Sequence, residues 1–168
     1  FTPLSERTAP NLLMDFLNQY FSAMADIVFA CQGTLDKFIG DALIAVFGSP
    51  VPDPEDAYHA AQCAQAMIER LRDMQFEVGP IHVGIGINYG RVIHGNIGSE
   101  KVMQYTVIGD VVNTAARLSD IATPNQVVLS PSVLERLGNR VEVRSLGSVE
   151  LKGKSEPVET YELTRCVD

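Results

Sequence analysis

The sequence predicts an α+β fold in which helices cover a mostly antiparallel sheet. Short segments rich in Val, Ile and Thr alternate irregularly with segments whose apolar residues recur at helical spacing. The chain has 168 residues, of which 46% are hydrophobic, and this is enough for one buried core. We therefore expect residues 1–168 to form a single domain.

The first predicted elements are a helix and a group of strands. Pro10 suits the first turn of a helix that runs to about Met24, because apolar residues follow it at helical spacing. Residues 26–47 have the composition of strands, and Gly33 and Gly40 mark the turns between them. The order so far is therefore one helix followed by strands.

A second helix and two strands come next. After a Pro-rich loop at 49–54, acidic residues open a helix that ends near Arg72, where their charge suits the positive helix end. Two strands, at about 81–87 and 92–97, are predicted to form a hairpin joined near residues 88–90. The remaining predicted elements are a strand at 104–107, a helix after it, a strand at 126–129, a helix from Pro131, and strands at 141–146 and 159–163.

The run QYTVIGDVVNTAARL, Gln104 to Leu118, carries the strongest functional signal. Asn113 and Arg117 lie four residues apart in a predicted helix, so both leave from one face. Asn supplies a fixed amide, and Arg supplies a cationic fork that suits phosphate oxygens. A strand, a glycine turn and this helix together indicate a polyphosphate site.

This run resembles the signature of class III nucleotide cyclases, the adenylyl and guanylyl cyclase catalytic domains. Thr34 to Gly48, TLDKFIGDALIAVFG, is similar to the Lys-x-x-Gly-Asp segment of that family. His82 to Gly98, HVGIGINYGRVIHGNIG, resembles its glycine-punctuated hairpin. The resemblance covers nearly the whole chain, with the N-terminal edge of the domain truncated, and it implies a ferredoxin-like sandwich.

The resemblance assigns the base-binding residues. Lys37 matches the base-selecting lysine, whose ammonium can donate to adenine N1. Thr106 matches the partner of the adenine amino group, and Val107 is placed with it in the substrate site. Guanylyl cyclases carry Glu and Cys at positions 37 and 106, so the pair favours ATP. With threonine at this position, the chain also resembles the subclass often associated with bicarbonate stimulation. A reaction rate that bicarbonate leaves unchanged at constant pH would exclude such stimulation here.

The resemblance also assigns the metal and phosphate contacts. Asp41 matches the second metal-binding aspartate, and two Mg²⁺ or Mn²⁺ ions per site are expected. The first metal aspartate is expected upstream of Phe1. Phe1 and Thr2 match the end of the phosphate-binding loop. Lys152 resembles a further triphosphate-binding lysine, with Lys154 as the alternative register.

On the Gln104–Leu118 run, Asn113 carries over as the ribose-positioning residue and Arg117 as the transition-state cation. Asp110 is predicted as the N-cap of their helix. In the expected arrangement, one protomer supplies the metal aspartates and Lys37, and the other supplies Thr106, Asn113 and Arg117. These roles imply an adenylate cyclase that works as a head-to-tail homodimer and converts ATP to cyclic AMP. The alternative is an inactive nucleotide-binding or dimerisation module.

Charge and cysteine content exclude other classes. The net charge of −8 has no basic stripe to offset it, which argues against a nucleic-acid partner. Three scattered cysteines, with no C-x-x-C, are typical of reduced thiols, and we expect a cytoplasmic domain. No apolar run approaches the ~20 residues that span a bilayer, so membrane attachment through this segment is not expected.

Overall fold

The computed structural model describes residues 2–167, and at Thr2 it describes the backbone alone. The helices are α1 (Thr2–Arg7), α2 (Pro10–Ala30), α3 (Asp56–Asp73), α4 (Asp110–Ile121) and α5 (Pro131–Leu137). The strands are β1 (Thr34–Ile39), β2 (Ala42–Val46), β3 (Gly84–Ile87), β4 (Ile93–Ser99), β5 (Val102–Ile108), β6 (Gln126–Leu129), β7 (Val141–Val149) and β8 (Val158–Cys166). The predicted α+β class is confirmed.

Three groups of strands make up the β structure. Four strands form one sheet in the order β3-β6-β8-β7, in which β3 runs parallel to β6 and the other neighbours are antiparallel. Strands β1 and β2 form one antiparallel hairpin, and β4 and β5 form another. The pairing is therefore mostly antiparallel, as the sequence predicts.

Helix α2 is longer than predicted. Phe16, Tyr20, Met24 and Val28 recur every four residues and are all buried, so one apolar stripe continues past Met24. The helix consequently ends at Ala30, and the prediction of strand from residue 26 is wrong. The β-branched and aromatic residues near its end favour a strand locally, but burial of the stripe outweighs that preference.

Helix α3 lies between the four-stranded sheet and α2. Ala61, Ala64 and Ile68 pack with residues of β6 and β8. Cys63 and Met67, on its other side, pack with the apolar stripe of α2. Small residues on the sheet side let the helix approach closely, which places one core on each side of it.

The predicted hairpin between residues 81 and 97 is wrong. Strand β3 pairs with β6, whereas β4 turns away and pairs with β5. Helix α4 packs on β3 because Gly84 and Gly86 remove the side chains that would hold it off. A Cβ at Gly86 would lie 2.2 Å from the carbonyl oxygen of Ala115 and 2.4 Å from the amide nitrogen of Ser119. The spacing of Gly84 and Gly86 thus serves the packing of α4 on β3.

Gly86→Ala should destabilise the domain by about 3 kcal/mol, at the upper end of overpacking costs, since the added methyl meets backbone atoms. Urea unfolding at one fixed protein concentration measures the change. Gly95→Ala is the matched control on another strand, because nothing lies within 4 Å of its Cβ position. Equal midpoints for the two variants would contradict the close α4–β3 approach.

Candidate active site

A β-bulge at Asp36 organises the first part of the site. Leu35 pairs with Ala45 and Lys37 pairs with Ile44, so Asp36 is an extra residue in β1 with no partner in β2. A bulge of this kind re-aims a side chain out of the regular alternation. The Asp36 side chain is consequently 2% exposed and points towards β5 instead of solvent.

Three donors surround the Asp36 carboxylate. Thr106 Oγ1 donates to Oδ2 at 2.8 Å, and the Val107 backbone N–H donates to Oδ1 at 3.2 Å. The Lys37 ammonium lies 3.5 Å from Oδ2. A buried carboxylate is costly without such partners, and both oxygens have them here. Nothing in the sequence identifies Asp36 as part of the site, because a bulge has no reliable residue signature.

The structure corrects the expected division between protomers. Lys37 and Thr106 contact the same Asp36 oxygen within one chain, so they are not on opposite sides of a shared site. Thr106 is 5% exposed and the Lys37 side chain 25%, so the ammonium is the more accessible group. One chain therefore presents both predicted base-binding residues together.

The side chain and the backbone N–H of Val107 are both engaged inside the chain. Its side chain is buried, and its N–H is used within the chain by Asp36. The backbone donor next to Thr106 thus holds the carboxylate in place. A direct role for Val107 in substrate binding stays a prediction.

Helix α4 presents the predicted ribose and phosphate residues. Gly109, with φ 153°, ends β5 and precedes the helix. Thr114 and Leu118 face the core, which leaves Asn113 exposed and the Arg117 side chain 41% exposed beside them. Ser119 Oγ donates to the Gly84 carbonyl at 3.0 Å and fastens the helix to β3.

Arg117 has a weak local partner. Its guanidinium lies 3.3 Å from the Asp120 carboxylate, which is 64% exposed. Ion pairs this exposed contribute little, so Arg117 remains available to a phosphate. Among residues 2–167, no hydrogen bond or ion pair joins Arg117 or Asn113 to Asp41. The structure therefore brings Asn113 and Arg117 to one helix face and leaves Asp41 elsewhere.

Asp41 lies in the turn between β1 and β2. Gly40, with φ 62°, makes the turn, and Asp41 follows it on the exposed side. Its charge reaches Tyr20 of α2: burial, and secondly the Asp41 charge, raise the pKa of Tyr20 to about 12. Within the described part of the chain, no three His, Cys, Asp or Glu side chains gather closely enough to hold a metal ion. Asp41 is thus exposed and belongs to no such group in the described residues.

The lysine segment before β8 approaches the start of α4. Lys154 pairs through its ammonium with Asp110, in the first turn of the helix. Lys152 is exposed, and no hydrogen bond or ion pair within residues 2–167 involves its ammonium. The predicted N-cap at Asp110 is wrong, because Gly109 occupies that position and the Asp110 side chain instead binds Lys154. This contact places Lys154 beside the first turn of the helix that carries Asn113 and Arg117.

The predicted phosphate loop at the N-terminus is only partly described. Phe1 lies outside the described residues. Thr2 is the first residue of the short helix α1, so its backbone is helical where an open loop is expected. The roles of Phe1 and Thr2 in substrate binding stay predictions.

Comparison with known proteins identifies the family. The family model described as the adenylate and guanylate cyclase catalytic domain matches residues 1–165. The chain belongs to this family, as the Gln104–Leu118 signature suggests. The ferredoxin-like class III cyclase fold predicted from the sequence is confirmed by the solved structures it resembles.

Relatives of both nucleotide specificities resemble the chain. The guanylyl cyclase Cya2 superposes with a TM-score of 0.95 at 37% identity, over 100% of this chain and 88% of that one. The adenylyl cyclase CyaB from P. aeruginosa gives a TM-score of 0.90 at 31% identity, over 98% and 88%. Adenylate cyclase 1 of Rhizobium meliloti is 32% identical over 99% of this chain, which spans only 26% of that protein's length.

Within residues 2–167, no helix combines the length and the apolar character that crossing a bilayer requires.

The raised pKa of Tyr20 predicts a loss of stability at alkaline pH. The ordinary pKa is 10.0, and the folded value is about 12. The unfolded chain therefore loses this proton first, and folding weakens as pH rises from about 10 to about 12, by roughly 3 kcal/mol at most. Tyr20→Phe should lose less free energy of unfolding than the parent protein between about pH 10 and about pH 12, as measured by urea titrations.

Tyr89→Phe is the control for that experiment, because Tyr89 is 42% exposed and lies outside the β4–β5 hairpin. It should leave the alkaline loss as in the parent protein. If both variants behave alike, Tyr20 does not carry the effect.

Proposed function

We propose that this domain is an adenylate cyclase that converts ATP to 3′,5′-cyclic AMP and pyrophosphate. The observation that carries the proposal is the joint contact of Lys37 and Thr106 with Asp36. It sets an ammonium donor beside a hydroxyl, and the edge of adenine offers an N1 acceptor beside a 6-amino donor. Family membership supports nucleotide cyclisation, and these two residues supply the reason for choosing ATP.

The reaction joins the ribose 3′-oxygen to the α-phosphorus and breaks the bond from that phosphorus to the bridging oxygen of pyrophosphate. The 3′-hydroxyl releases its proton to solvent as it attacks, so one proton leaves in addition to cyclic AMP and pyrophosphate. Asn113 would orient the ribose, since its exposed amide lies one helical turn from Arg117. Arg117 would neutralise charge that develops on the α-phosphate, and Lys152 or Lys154 would hold the triphosphate.

The proposal includes dependence on Mg²⁺ or Mn²⁺, two ions per site. Asp41 is a hard oxygen ligand on an exposed turn, which suits such a cation, but among residues 2–167 it belongs to no group of three potential metal ligands. Substrate phosphates and an aspartate expected before Phe1 would complete the coordination. A bound cation of this type supplies charge neutralisation at the phosphates.

The proposed working unit is a head-to-tail homodimer. The hairpin β4–β5 exposes a set of large apolar side chains, which indicates a surface that another copy covers. These side chains are Ile93, Ile97, Val102, Met103, Tyr105 and Ile108. In the corrected division, one protomer supplies Asp41, and the other supplies Lys37, Thr106, Asn113 and Arg117. Stimulation by bicarbonate stays a prediction.

The alternative is a nucleotide-binding module without catalysis. The absence of a three-ligand metal group from residues 2–167 favours it. The Asn113–Arg117 face disfavours it, because simple binding does not require a transition-state cation. ATP binding without any cyclic AMP, in protein that includes the residues preceding Phe1, would establish the alternative.

Arg117→Ala should lower cyclic AMP formation from ATP with Mn²⁺ roughly 10³-fold or more, because the developing phosphate charge loses its cation. The product is quantified by chromatography under saturating ATP. Arg70→Ala removes an exposed arginine from α3 and should retain parental activity. A small effect at Arg117 would remove its transition-state role.

Mixing inactive variants tests the shared site. Asp41→Asn and Arg117→Ala protomers, each inactive alone, should recover about a quarter of parental activity when mixed. Half of the dimers are then mixed, and each mixed dimer has one intact site of two. No recovery, with mixed dimers demonstrated by tagged pull-down, would contradict sharing across the dimer.

The matched mixture is Lys37→Ala with Thr106→Ala. Both residues lie in one chain about Asp36, so every site in a mixed dimer still lacks one of them, and no recovery is expected. Recovery in this mixture would restore the original division between protomers.

A further inference from the structure

We propose that Asp36 determines nucleotide specificity by orienting the Thr106 hydroxyl, and this rests on the proposed adenylate cyclase function. Asp36 is a positioning residue: its contacts are with Thr106, Val107 and Lys37, and it acts on the base through Thr106. The direction of the Thr106 hydroxyl proton decides whether this hydroxyl can bind a hydrogen-bond donor or an acceptor of the base.

The geometry commits the hydroxyl proton of Thr106 to a hydrogen bond with Asp36. Oδ1 of Asp36 accepts the Val107 N–H at 3.2 Å, a donor that cannot be reversed. Oδ2 accepts from Thr106 Oγ1 at 2.8 Å. Since Thr106 is 5% exposed and the Asp36 side chain 2%, water competes little for this proton.

A hydroxyl carries one proton and two lone pairs. With the proton committed to Asp36, the oxygen of Thr106 can act towards a ligand only as an acceptor. The 6-amino group of adenine is a donor and matches it. The 6-oxo group of guanine is an acceptor and would place two lone pairs against each other, an unpaired contact that is costly in a dry site.

Asp36 also holds Lys37 in place. Its ammonium lies 3.5 Å from the Asp36 oxygen that Thr106 contacts, so one carboxylate holds both base-reading groups at a fixed spacing. The ammonium donates and the hydroxyl accepts, which is the complement of adenine and not of guanine. A threonine alone does not decide between the two bases, because a free hydroxyl can serve either way.

Asp36→Asn tests the orienting role of Asp36 with a nearly isosteric change. The Val107 N–H still requires an acceptor, so the amide oxygen takes that position and the NH₂ group faces Thr106. The hydroxyl then accepts from the amide, and its proton turns towards the base. We expect the ratio of kcat/KM for ATP to that for GTP to fall about tenfold or more.

The control is Asp73→Asn, which makes the same charge change at an exposed position at the end of α3. It should keep the parental ratio. A merely structural role of Asp36 would lower both activities together, so a folded Asp36→Asn protein with an unchanged ratio overturns the proposal. A parent protein that forms no cyclic AMP at all overturns the proposed function, and this inference with it.

Analogues keep the test valid if Asp36→Asn does not fold. In the parent protein, purine riboside triphosphate retains the N1 acceptor but lacks the 6-amino group. Its kcat/KM should be about tenfold below that of ATP, because the Thr106 acceptor loses its donor. Equal values for the two substrates would show that Thr106 does not accept from the 6-amino group and would overturn the proposal.

Discussion

The buried carboxylate of Asp36 constrains the arrangement of the candidate site more than any other single group. A charge removed from water must be surrounded by donors, and the donors available come from β5. The bulge in β1 exists at the position where that carboxylate turns towards Thr106 and Val107. The hairpin β1–β2, with the Asp41 turn at its tip, is therefore held against β5, and Lys37 takes its place beside the same oxygen.

The second constraint is the close approach of α4 to β3. Two glycines remove the side chains that would separate them, and the Ser119 hydroxyl bonds to the Gly84 carbonyl. With Leu118 fully buried, the rotation of the helix about its axis is fixed. Asn113 and Arg117 then have a defined direction even though both are solvent-accessible. Rigid packing on one side of α4 thus positions polar groups on the other.

The sequence predicts the elements better than their partners. Strand β6 and helix α3 are found close to the predicted bounds, because one has a short apolar run and the other an acidic start with a periodic face. The end of α2 was mispredicted since β-branched residues there lie on a buried helical stripe. The partner of β3 is mispredicted because residues 88–90, which follow it, look like a hairpin turn, although β3 pairs with β6. Local patterns contain no information about such long-range contacts.

The same limit applies to the site, and it bears on how specificity arises. Lys37, Thr106, Asn113 and Arg117 could be nominated from motifs, but Asp36 could not, because its importance depends on a bulge and on a strand about seventy residues away. A guanylyl cyclase and an adenylyl cyclase both superpose closely on this chain, so the overall fold does not separate the two substrates. The discrimination must then lie in a few atoms whose donor or acceptor character differs. A hydroxyl can donate or accept a hydrogen bond, and its neighbour decides which. The residue that orients the base-contacting hydroxyl therefore has to be known, as well as the hydroxyl itself, before a substrate is inferred.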